Sequence, residues 1–117
     1  MKVDYISDLH LDFWIRELNP QSPKFQKLID QYLDMIHAKG GDVLIIAGDL
    51  GHYFQQDSAF LLACKELYRH VMIVRGNHDM YLIGNGQEKK YLKDSMNRVL
   101  EMKRFCRETE GLHYLDG

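Results

Sequence analysis

The sequence predicts an α/β fold, a mainly parallel sheet with flanking helices in the order βαβαβαβ. Three observations carry that reading. Short apolar runs rich in β-branched residues stop at turn residues, at Val3–Ser7, Val43–Ala47 and Val71–Arg75, and such runs read as strands buried on both faces of a parallel sheet. Between them lie segments with apolar residues at i, i+3 and i+4, long enough to serve as right-handed crossovers. Each run is also followed at once by a carboxylate, an imidazole or an amide. In open α/β sheets that is the edge where ligands collect.

In chain order, the first strand covers residues 2 to 7. An aromatic-rich, irregular loop follows through Asp12, Phe13, Trp14 and Asn19-Pro20; it either overhangs the strand ends or tucks its rings onto the core. The first helix starts with Ser22 as N-cap and Pro23 at the first helical position. Phe25, Leu28, Ile29, Tyr32, Leu33 and Ile36 form its buried face, and Gly40-Gly41 stops it. His37 near that end reads as a favourable charge on the helix C-terminus. The second strand, Val43 to Ala47, leads through Gly48-Asp49-Leu50-Gly51 to a second helix from about Asp57 to Tyr68, with Phe60, Cys64, Leu67 and Tyr68 on one side. Strand three is Val71 to Arg75. Residues 80 to 93, with Gly84-Asn85-Gly86 and several lysines, read as a solvated excursion. A third helix runs from roughly Asp94 to Glu108 and presents Met96, Val99, Leu100 and Cys106; Gly111 ends it, and Leu112-His113-Tyr114-Leu115 is a fourth strand.

A chain of 117 residues supports one domain with a single core. Fifteen Lys plus Arg against seventeen Asp plus Glu leave a formal charge of −2. That balance gives no sign of a bulk nucleic-acid or anionic-membrane partner and leaves only a local basic patch open. No apolar run approaches the roughly 20 residues of a membrane span, and the N-terminus lacks a signal-peptide layout, so a cytoplasmic protein is expected. Cys64 and Cys106 lie in helical patterns without C-x-x-C spacing and read as reduced core residues. His52, His70 and His113 read as surface or partly buried histidines rather than ligands.

The strand ends carry the chemistry. Asp8-Leu9-His10, Gly48-Asp49-Leu50-Gly51 and Gly76-Asn77-His78-Asp79 follow the first, second and third strands. If those strands are parallel neighbours, Asp8, His10, Asp49, Asn77 and His78 converge on one patch of the sheet's rim. Carboxylates so close raise each other's pKa unless a cation neutralises them. A metal site is the economical explanation. Two divalent ions roughly 3.5–4 Å apart can hold a bridging hydroxide as nucleophile and clamp the attacking and leaving oxygens of an in-line displacement. The two carboxylate oxygens of Asp49 suit a bridging role. Oxygen-rich ligands with few imidazoles favour Mn²⁺, Fe or Mg²⁺, with Zn²⁺ also admissible. Taken singly, Asp8 could make an Asx-turn and Gly76-Asn77 a turn needing positive φ, and Arg75 reads as a solvated strand-end arginine.

Together and in this order, the three blocks resemble the first three signature blocks of the calcineurin-like metallophosphoesterases, with Gly76-Asn77-His78-Asp79 the most specific. The resemblance implies half of an αββα sandwich with two metal ions at the strand ends, and a phosphatase or phosphodiesterase activity. It implies that Asp8 and His10 ligate the first metal, that Asp49 bridges both, and that Asn77 binds the second. His78 would donate a hydrogen bond or proton to the phosphate as the leaving oxygen departs, and Asp79 would orient His78. The family's later histidine blocks have no counterpart after Asp79, where His113 is the sole histidine. A C-terminally truncated domain, residues 1–117, is therefore expected, with the second metal weakly held or absent. The first reading is a metal-dependent phosphoester hydrolase using a dinuclear centre; the alternative is a catalytically incomplete fragment or scaffold that acts as an oligomerisation or interaction module. Its exposed sheet would favour a homo-oligomer. The substrate, whether small molecule, phosphoprotein or nucleotide, is not legible, because specificity lies in loops. An ordinary nucleotide-binding α/β domain would need a glycine-rich loop after strand one, and Ser7-Asp8-Leu9-His10 is not one.

Overall fold

A computed structural model of the chain describes residues 1–7, 9–48, 50, 51, 53–74, 90 and 95–115. The elements are β1 (Val3–Ser7), α1 (Leu11–Trp14), α2 (Pro23–Met35), β2 (Gly41–Ala47), α3 (Phe54–Leu67), β3 (Tyr68–Val74), α4 (Ser95–Glu108) and β4 (Leu112–Leu115). The four strands form one sheet in the order β1-β2-β3-β4, and every pairing is parallel. This is the predicted α/β architecture.

Right-handed crossovers that always step the same way along a sheet deliver their helices to the same face. Leu44 and Ile46 of β2, Val71 and Ile73 of β3 and Leu112 of β4 join Phe25, Ile29, Leu33, Phe60, Leu61, Cys64 and Cys106 of the helices in one core. Burial of each large side chain there stabilises the fold by about 1.5–3 kcal/mol. Strand side chains alternate between faces, so the intervening residues point away from the helices. Val3, Tyr5 and Leu115 are 49%, 67% and 47% exposed, and Val43, Ile45, Met72 and Val74 are half-buried. Among the described residues, helices cover one side of the sheet only.

Several boundaries differ from those expected. The loop after β1 is not wholly irregular: Leu11–Trp14 makes one helical turn with Leu11 and Ile15 fully buried. Trp14 and Phe13 stay half-exposed, with an edge-to-face contact between them at 5.0 Å. Helix α2 begins at Pro23 as predicted, although the Ser22 side chain makes no capping bond. It ends at Met35, well before Gly40. His37 adopts φ 59°, and the bonds from Ala38 N–H to the Leu33 carbonyl (3.0 Å) and from His37 N–H to the Asp34 carbonyl (3.1 Å) close a Schellman turn. His37 therefore occupies the position that usually holds glycine.

Strand β2 starts two residues earlier than expected, at Gly41, and α3 three residues earlier, at Phe54. Tyr68 opens β3 and is not the last helical residue; its hydroxyl donates to Asp4 Oδ2 at 2.5 Å. Leu67, expected on the buried side, is 39% exposed. On α4, Val99 and Cys106 are buried, whereas Met96 and Leu100 face solvent. The inward positions are instead Arg98, Val99, Met102, Phe105 and Cys106, so a charged residue occupies part of a face the hydrophobic pattern could not reveal. Both cysteines are free and buried, and burial raises the Cys64 and Cys106 thiols to about 12 and about 11.

Candidate functional site

Register decides where the three motif blocks begin. Ser7 pairs with Ala47, Ala47 with Val74, and Val74 with Leu115. The C-terminal ends of β1, β2 and β3 therefore stand abreast, and the sequence continues from each into Asp8, Gly48-Asp49 and Arg75–Asp79 respectively. Asp8, Asp49, Asn77, His78 and Asp79, like Arg75, His52 and most of the 80–93 segment, lie outside the described residues. His10 is described. It caps α1 in the left-handed region at φ 46° and is partly exposed. A non-glycine residue held there is uncommon and marks a tightly specified turn. Among the described residues alone, no group of three or more His, Cys, Asp or Glu could hold a metal.

The described flanks show how the first two loops are braced. Leu11 N–H donates to the Leu50 carbonyl at 2.9 Å, tying the loop after β1 to the loop after β2. The Tyr32 hydroxyl, from α2, donates to the Leu9 carbonyl at 2.8 Å. Burial first, and the neighbouring Cys64 second, push this phenol up to about 12, which keeps it a proton donor at neutral pH. Gly48 has φ 76°, which leads the chain out of β2 by a turn that other residues resist. Gly51 is needed for a different reason: a Cβ there would lie 2.5 Å from Asp57 Oδ1 and 3.1 Å from Leu11 Cβ.

Two helices complete the brace. Arg98 of α4 donates through Nη2 to the Gly51 carbonyl at 2.5 Å and lies 3.7 Å from Asp57 Oδ2 of α3, with both side chains nearly inaccessible. Gln56 Nε2 donates to the Ile15 carbonyl and, at 3.2 Å, to that of Glu17. Sequence reasoning missed Gln56, Asp57 and Arg98. Arg98 and Asp57 are far apart in sequence, and each sits in a helix whose inward face was read from apolar residues alone. A shared inward helical position for one acid and one base was the available signal.

The sequence profile of the calcineurin-like phosphoesterases matches residues 1–116. The chain belongs to the calcineurin-like phosphoesterase family. Membership supports a general phosphoesterase function, that of a hydrolase, in a family that generally uses divalent metals. No curated protein and no solved structure matches the chain significantly. Carboxylate and amide oxygens together with an imidazole are donors that fit divalent cations, and the motif blocks that contain them follow, in sequence, three adjacent parallel strands. No helix among the described residues is long and apolar enough to cross a membrane.

Proposed function

We propose that the chain is a metal-dependent phosphoester hydrolase whose centre is built from Asp8, His10, Asp49, Asn77, His78 and Asp79. The observation that carries this reading is the level alignment of Ser7, Ala47 and Val74 across a parallel sheet, which starts all three motif loops at one edge. Asp8 and His10 would hold one cation, Asn77 a second, and Asp49 both, with Mn²⁺ the first choice on donor chemistry. Bound there, the cations would neutralise the carboxylates, activate water and clamp the phosphoryl oxygens. His78 would supply a proton to the departing oxygen, and Asp79 would fix the imidazole tautomer that does so. The role of the described scaffold is placement: the Leu11–Leu50 bond and the Arg98–Gly51 bond hold the first two loops in fixed relation.

The same reading includes a second copy of the chain as partner. Val3, Tyr5 and Leu115 lie on a sheet face that no described helix covers, and apolar patches of that kind favour association. Light scattering is expected to give a particle heavier than 13.8 kDa; a monomer would count against this part.

Activity is tested by hydrolysis of p-nitrophenyl phosphate and its bis ester with added Mn²⁺, beside Asp49→Asn and His78→Ala. Turnover that both substitutions abolish supports the proposal. No turnover, with Mn²⁺ still raising the melting temperature, would leave a metal-binding fold without catalysis and overturn the enzymatic reading for this chain.

A further inference from the structure

On the sheet face away from the helices, two imidazoles meet. His113 of β4 pairs in register with Met72, and His70 lies two residues before Met72, hence on the same face. Nδ1 of His70 and Nε2 of His113 are 3.2 Å apart, with ring centroids at 5.3 Å and planes inclined by 41°. Both residues are exposed. His70 precedes Val74 by four residues, about 13 Å along the strand at roughly 3.3 Å per residue, so its end of the pair stands away from the motif-bearing edge.

We propose that His70 and His113 form a bidentate site for a borderline divalent cation, of which Zn²⁺ is the natural occupant. Two Zn–N bonds of about 2.05 Å at a tetrahedral angle place their nitrogens about 3.3 Å apart. A square-planar Cu²⁺ or Ni²⁺ with similar bonds needs about 2.9 Å. The observed 3.2 Å lies between, closer to the tetrahedral value. Imidazole is the side chain these metals prefer, and it does not select Mg²⁺ or Ca²⁺.

Without metal, one ring donates its N–H to the other. On binding, that hydrogen is exchanged through solvent to the second nitrogen of the same ring. Both facing nitrogens then offer lone pairs. Among the described residues no third His, Cys, Asp or Glu joins the pair, and water can complete the remaining positions. Lys65 and Arg69, with Glu66 and Glu110, line the hollow beside His70. The paired strands bring the two imidazoles within chelating distance of each other, which lowers the ordering cost of binding relative to two unlinked side chains.

The test is calorimetric titration of the full chain with Zn²⁺ in an Asp49→Asn background, which weakens the site at the strand ends. One equivalent is expected to bind. His70→Gln or His113→Gln should each abolish that binding, and His37→Gln, on an exposed histidine elsewhere, should leave it intact. Binding unchanged in both strand variants would overturn the proposal. A second readout needs no substitution: Zn²⁺ should shift the imidazole NMR resonances of His70 and His113 together, and unshifted resonances would overturn it as well. Neither readout depends on phosphoesterase activity, so this site can fail while the catalytic reading stands, and the reverse.

Discussion

Replacing Arg98 by methionine tests the brace behind the β2 loop. The guanidinium is 6% exposed, sits 3.7 Å from an Asp57 carboxylate that is 4% exposed, and donates to the Gly51 carbonyl. Methionine fills much of the same space but removes the cation beside a buried anion. Breaking such a buried pair from one side costs about 3–5 kcal/mol, because the remaining charge keeps its desolvation penalty. At roughly 0.05–0.15 kcal/mol per residue, a chain of 117 residues has about 6–18 kcal/mol in all, so the loss is a large share. At about 3–6 °C per kcal/mol for this size, the melting temperature should fall by about 9–30 °C. Urea denaturation of Arg98→Met, Asp57→Asn and the double variant completes the cycle. The double variant carries no buried charge and should recover at least about 1 kcal/mol relative to the sum of the singles. A loss below about 1 kcal/mol for Arg98→Met, or strict additivity, would refute the argument that this pair is a buried electrostatic unit.

Other expectations follow from local geometry. His37→Gly should stabilise the chain by about 0.5–1 kcal/mol in denaturant melts, since glycine adopts the left-handed φ of 59° without strain; a loss of stability would show that the His37 side chain has a compensating role. Phe60→Ala, at a fully buried ring 5.7 Å from Tyr32, should cost about 3–5 kcal/mol. Cys64 and Cys106, raised by burial to about 12 and about 11, should resist thiol reagents at neutral pH until the chain unfolds. Their linkage has a definite sign. The fold favours the protonated thiols, so the contribution is fully present below the unfolded value near 9 and is lost as pH rises through about 11 to 12. Tyr68, raised to about 12 by burial and then by its bond to Asp4, adds a loss in the same direction above about pH 10. A stability profile flat across that range would contradict these assignments.

The strands were the most legible elements because their signal is local: apolar, β-branched runs read as ending at Ser7, Ala47 and Arg75, against described ends at Ser7, Ala47 and Val74. Helix α2 was legible for the same reason, with Pro23 marking its start and Phe25, Ile29, Tyr32 and Leu33 its inward face. Its end was not, because Gly40 looked like the stop signal while the chain turned at His37, a residue with no intrinsic claim to left-handed φ. Helix α4 misled in another way. Met96 and Leu100 are apolar yet exposed, and Arg98 is charged yet buried, because a partner on α3 outweighs hydropathy. The motif blocks were readable as a set, and the parallel register supplies what spacing alone could not, namely that their strands end side by side. The His70–His113 encounter depends wholly on register between two strands and left no mark in the sequence.

The strand order also bears on how the chain assembles. Each strand docks on the one made just before it: Val3 faces Val43, Val43 faces His70, and Val71 faces Leu112. None of these closures spans more than about forty residues, and closure entropy rises only slowly with such lengths. No strand must wait for a partner encoded far downstream. A chain leaving the ribosome can therefore add one β-α unit at a time onto a growing edge, each unit covering the helix side of the sheet as it arrives.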